Sequence, residues 1–86
     1  MTTRTARLRA PADFGLAVQQ SRLARGMSQQ ELADELGLPQ SAISVIESGR
    51  STIMVRRLLE IARVTGLRFT ASWDERTEEA DDDARG

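Results

Sequence analysis

The chain contains no cysteine, histidine, tyrosine or lysine, and its 86 residues include only two Phe, one Trp and two Pro. Each absence excludes something. Without Cys there is neither a disulfide framework nor a thiolate metal site. Without His the commonest metal ligand and the commonest general base are missing. With so few aromatics, a core drawn from the 40% of residues that are hydrophobic must be aliphatic. No apolar run approaches the ~20 residues of a membrane span, and no signal-peptide-like segment follows Met1, so a soluble cytoplasmic protein is expected. There is no glycine-rich phosphate loop and no carboxylate pair suited to catalysis. No enzymatic activity, no cofactor and no metal are expected, and the length suits one small domain with tails.

The net charge of −1 conceals a segregation. Residues 1–73 carry ten Arg against six acids, a surplus of +4, whereas residues 74–86 carry seven acids against Arg76 and Arg85, giving −5. A basic body with an acidic end suggests a domain that binds nucleic acid or a protein partner, followed by a solvated tail. Residues 1–9 lack an apolar period and read as a flexible basic arm. Residues 74–86 have no hydrophobic side chain larger than Ala and read as a disordered acidic tail.

Between these ends the periodicity is helical. Pro11 suits a first helical position, Asp13 complements the positive helix end, and Gly26 stops the helix. Phe14, Ala17, Val18 and Ser21 form its inward stripe. Ser28-Gln29-Gln30-Glu31 is a capping box opening a helix to about Leu36, with Leu32, Ala33 and Leu36 inside and a turn at Gly37. Pro39 starts a third helix to about Ser48. Thr52 caps a fourth through Thr65, expected to bury Ile53, Leu58, Leu59, Ile61 and Ala62. "LRFTASW" then alternates with period two, Leu67, Phe69, Ala71 and Trp73 facing one way.

The third helix carries an unusual outer face. At about 100° per residue, Ala42, Ile43 and Ile46 cluster on one side, while Gln40, Ser41, Ser44, Val45 and Ser48 fan out opposite. Small and amide side chains let a helix backbone approach another surface closely. A helix presenting such a face across a short Gly-containing turn is a helix-turn-helix arrangement, whose second helix fits the major groove of B-DNA.

"MSQQELADELGLPQSAISVIESGR" resembles the helix-turn-helix of lambda-repressor-like (Xre-type) transcriptional regulators, the likeness covering about Phe14 to Leu67. The resemblance implies an all-α domain of four to five helices over residues 10–73. It implies base contacts by Gln40, Ser41, Ser44 and Val45, and phosphate contacts by Gln29, Arg50 and Arg56. It also implies a fixed ion pair between Arg22 and Glu47, joining the first helix to the end of the third. The chemistry suits those roles: Gln pairs bidentately with adenine, Ser serves several bases, Val packs on a thymine methyl, and Arg at phosphates gives salt-dependent affinity. Many relatives carry a long polar or basic residue where Val45 stands, so direct readout should be modest and DNA shape should carry more of the specificity.

A lone amphipathic strand cannot satisfy its own edges. Two copies pairing through residues 67–73, with Leu67, Phe69, Ala71 and Trp73 at the interface, would solve this by two-fold symmetry. That ending is similar to HipB-type antitoxins. The resemblance implies a homodimeric, nucleoid-associated repressor that binds inverted-repeat operators in its own promoter and holds a HipA-type Ser/Thr kinase toxin. A stand-alone Xre-type repressor, or an adaptor that binds protein and not DNA, are the alternatives.

Overall fold

Four helices and a two-stranded antiparallel sheet make up the computed structural model, which describes residues 2–50 and 52–75. The order is β1 (Thr2–Arg7), α1 (Pro11–Ala24), α2 (Gln29–Leu36), α3 (Gln40–Glu47), α4 (Ile53–Thr65) and β2 (Thr70–Glu75). Helix starts follow local chemistry. Asp13 in the first turn of α1 accepts from the backbone amides of Arg9 and Ala10, and the Thr52 hydroxyl accepts from the Val55 amide at the start of α4. The capping box of α2 is complete, with Ser28 Oγ accepting from the Glu31 amide and the Glu31 carboxylate accepting from the Ser28 amide. Such pairs satisfy donors that the first helical turn leaves open.

The sheet corrects two expectations. Thr2–Arg7 is not a flexible arm but β1, paired with β2 from Thr2 opposite Glu75 to Arg7 opposite Thr70. Its β-branched Thr residues favour extended backbone, and Ala6 and Leu8, two apart, turn toward the core, Leu8 being buried. Asp74 and Glu75, expected in the acidic tail, belong to β2, where Arg4 meets Glu75 at 3.3 Å and Thr3 donates to Asp74. The rest of that tail, 76–86, lies outside the described residues.

The second correction concerns cover. β2 has a partner strand and a covered face within its own chain. Phe69 packs against Phe14 of α1, ring centroids 6.5 Å apart and planes inclined by 54°, and the Trp73 side chain lines a cleft with Val18, Arg22, Met27 and Leu32. The alternation read from the sequence holds for Phe69, Ala71 and Trp73, whereas Leu67 precedes the strand and is exposed. The strand therefore does not need a second copy to bury Phe69 and Trp73.

The core is small and aliphatic: Leu8, Ala17, Ala33, Ile43 and Leu59. Several side chains expected inside lie outside. Leu36 is 58% exposed, and Ile46, Ile53, Leu58 and Ile61 are exposed too. In α4 the reason is geometric. Val55, Leu59 and Ala62 form one stripe at i, i+4, i+7 and turn inward, whereas Met54, Leu58 and Ile61 form an equivalent stripe one residue earlier and face out. Both satisfy helical period, so periodicity alone cannot choose between them.

Gly15 sets how closely α1 approaches the end of α3. A Cβ there would lie 2.6 Å from the Ile46 carbonyl oxygen and 2.7 Å from that of Glu47. Gly15→Ala is therefore expected to lower stability by about 1–3 kcal/mol despite Ala being the better helix former. Thermal melting followed by circular dichroism reads this, and an unchanged midpoint would show that the two helices move apart at no cost.

Candidate nucleic-acid interface

The turn between α2 and α3 is built by Gly37, whose φ of 67° lies in the left-handed region that favours glycine. The Gly37 and Leu38 amides return to the Asp34 and Ala33 carbonyls, at 3.2 and 2.9 Å. Ala33 beneath them is wholly buried, and the inward side of α3 is anchored by Ile43 at 2% exposure. The two helices are thus held across three residues, Gly37 to Pro39, before α3 begins at Gln40. Gln40, Ser41, Ser44 and Val45 are all exposed on α3. Ser48 is exposed as well, but its hydroxyl turns back to donate to the Val45 carbonyl.

Behind this face stands the ion pair between Arg22 of α1 and Glu47 of α3. Arg22 Nε donates to Glu47 Oε2 at 2.6 Å and Nη2 donates to Oε1 at 3.0 Å, a bidentate fork. Both side chains are buried, at 8% and 3% exposure. The third guanidinium nitrogen, Nη1, donates to the Met27 carbonyl in the loop before α2. One arginine thus ties together α1, α3 and the start of the helix-turn-helix unit.

The pair continues outward through two amides. Gln29, the first residue of α2, donates Nε2–H to Glu47 Oε1 at 3.0 Å, and Gln40, the first residue of α3, donates Nε2–H to Gln29 Oε1. Four of the residues singled out in the sequence are therefore joined in one hydrogen-bonded line. Arg50 and Arg56 are exposed, the one after Gly49 and the other in the first turn of α4, and no side-chain hydrogen bond joins them to this line among the described residues. The link from Gln29 to Glu47 was not legible in the sequence, where the two residues lie eighteen positions apart. Gly15 was missed in the sequence, although a glycine inside a helical pattern commonly marks close packing and could have flagged it.

Hydrogen bonds from Arg22 hold the Glu47 carboxyl below its ordinary range, with Gln29 adding to the effect and burial opposing it. The Glu31 carboxyl is lowered by its bond to the Ser28 amide. Both groups bind protons less readily in the folded chain than in the unfolded one. Their stabilisation is complete above the unfolded carboxylate value near ~4.3 and is lost as pH falls through the folded values. Urea midpoints measured downward from pH 7 should fall below about pH 4.5, and Glu47→Gln should flatten that dependence.

A helix-turn-helix family model matches residues 18–71, which covers α2, the turn, α3 and α4 together with the second half of α1. The chain belongs to that family. Its members of the Xre and lambda-repressor-like type are DNA-binding transcription regulators, and the helix-turn-helix domain here presents the exposed face of α3 in the manner such proteins use for double-stranded DNA. No curated protein and no solved structure matches the chain.

Proposed function

We propose that the protein is a sequence-specific transcriptional repressor that binds an inverted-repeat operator as a homodimer, and that it is the antitoxin partner of a HipA-type Ser/Thr kinase. The observation that carries the DNA reading is the exposed, nearly uncharged face of α3, braced from behind by the buried Arg22–Glu47 pair. Gln40, Ser41, Ser44 and Val45 read base edges, while Gln29, Arg50 and Arg56 contact phosphates. The protein is not an enzyme, takes no cofactor, and acts in the cytoplasm on the nucleoid.

The dimer draws its support from a different surface from the one expected. Phe69 and Trp73 are occupied within the chain, yet α4 exposes Met54, Leu58 and Ile61, flanked by Ile53 at 62% and Val64 at 87% exposure. An apolar stripe of this kind on a small domain marks a protein-binding surface, and a second copy across a two-fold axis would also match the symmetry of an inverted repeat. Leu67 is exposed and free to join such an interface, whereas Phe69, Ala71 and Trp73, expected at the interface, pack within the chain.

Selection of genomic fragments by the purified protein tests the reading. The expected result is an inverted repeat with half-sites about one helical turn apart or a multiple, bound with steep salt dependence. The repeat should lie upstream of the protein's own gene beside a kinase gene, and the kinase should co-purify with the protein. An operator found without such a kinase would favour a stand-alone repressor, and no enriched sequence at all would favour the adaptor.

A further inference from the structure

Four arginines line one groove at the C-terminal end of α4. Arg7 ends β1, Arg9 lies in the link to α1, Arg63 is in the last turn of α4, and Arg68 lies in the loop before β2. The groove encloses about 430 Å³ and is half open to solvent. No carboxylate lines it, and none of the four arginines takes part in an ion pair among the described residues. Its floor is apolar, with Leu8 and Leu59 buried and Phe69 half-buried against Phe14. We infer that this groove is a docking site for an acidic segment of a protein partner, one that carries carboxylates on either side of an apolar side chain.

Charge and floor each specify part of that occupant. A guanidinium presents a planar fork that matches a carboxylate two bonds at a time, so clustered arginines suit an acidic segment. Exposed ion pairs contribute little by themselves, because water and salt screen them. The apolar floor supplies what the charges lack, a place to bury an aliphatic or aromatic side chain away from water. That floor also favours protein over DNA, since phosphates offer nothing to set against Leu59 or Phe69. Arg56, proposed above as a phosphate contact, lies in the first turn of α4, about 10 Å along the helix axis from Arg63. The groove stays open in the proposed dimer too, because Ile61 and Arg63 point about 160° away from each other around α4.

The inference stands whether or not the partner is the kinase proposed above. Selection from a displayed library of random short peptides, with the full chain as bait, tests it. Enriched peptides should carry Asp or Glu on both sides of Leu, Ile, Phe or Trp. Fluorescence anisotropy with the leading peptide then locates its site. Arg63→Glu should weaken binding by about tenfold or more, whereas Arg25→Glu, the same change of charge just after α1, should leave it within about twofold. Arg68→Glu should repeat the loss at a position outside any helix, so a folding defect in Arg63→Glu would not hide the result. Serine in place of the peptide's apolar residue should weaken binding to the wild type by about fivefold or more.

Equal effects of Arg25→Glu and Arg63→Glu, whether a loss or none, overturn the inference, because the peptide then follows net charge or sits elsewhere. So does a selected set rich in acids but without a shared apolar residue. Displacement of the leading peptide by a random-sequence DNA duplex would give the groove to nucleic acid instead. Enrichment only by a full chain with Glu78, Glu79, Asp81, Asp82 and Asp83 replaced by their amides would give it to the chain's own acidic segment. No enrichment with either chain rejects the docking site outright.

Discussion

Glu47→Ala is expected to lower the free energy of unfolding by about 3–5 kcal/mol, the cost of leaving a buried guanidinium without its counter-charge. For a domain of this size total stability is on the order of 5–10 kcal/mol, so the variant should lose a large share of its stability and unfold at a markedly lower urea concentration. The loss is large because Arg22 cannot escape: it is buried and its third nitrogen is committed to the Met27 carbonyl. The cost lies in the orphaned charge and much less in the net worth of the pair. Arg22→Met combined with Glu47→Leu, which removes both charges and keeps apolar bulk, should therefore recover most of the loss. Urea denaturation of the two single variants and the double variant reads this as a cycle. If the double variant were as unstable as Glu47→Ala, the stabilisation would come from shape or from the Met27 bond, and the electrostatic account would be wrong.

The second large effect concerns DNA. Gln40→Ala together with Arg50→Ala should weaken operator binding by at least on the order of a hundredfold, with melting temperature and dimerisation unchanged. A good bidentate base contact is worth about 1–3 kcal/mol, and two-fold symmetry counts every loss twice on an inverted repeat. The single variants should differ in kind. Gln40→Ala should relax preference at one position in each half-site and leave the salt slope alone. Arg50→Ala should weaken binding evenly across sequences and reduce the slope by about 0.9 for each phosphate lost. Fluorescence anisotropy on a labelled operator at several salt concentrations resolves both. Equal slopes for wild type and Arg50→Ala would take Arg50 off the phosphate backbone.

The parts of the fold that were legible in the sequence share a physical cause. The start of α2 was readable because Ser28 and Glu31 satisfy each other locally, and the turn was readable because its left-handed backbone at Gly37 favours glycine. The inward position of Ile43 followed from helical period in a segment with one apolar face. What was not legible depends on distant partners. In Thr2–Arg7 only Ala6 is apolar, so its strand exists through pairing with residues some seventy positions later. In α4 two stripes fit the same period, and the choice between Leu59 and Leu58 is made by what packs against the helix. The exposed face of α3, with Gln40, Ser41, Ser44 and Val45, could be placed by helical pattern. The line from Glu47 through Gln29 to Gln40 could not, because hydrogen-bond direction is a property of assembled side chains and not of spacing.

Pairing Thr2 with Glu75 has a consequence for how the protein is made. Synthesis proceeds from the N-terminal side, and helices with local contacts form quickly, whereas closing so long a loop comes late. A nascent chain can assemble α1 to α3 while Phe14 still lacks Phe69 and β1 still lacks its partner. Until Thr70–Glu75 has been translated and released, the ribosome displays an unpaired N-terminal strand and an open aromatic site on α1. Those are features that chaperones and proteases recognise, so the time between synthesis of α4 and delivery of β2 is when the molecule is most vulnerable. Substitutions that weaken β2 should therefore reduce the amount of protein in the cell more than they reduce the stability of the finished domain.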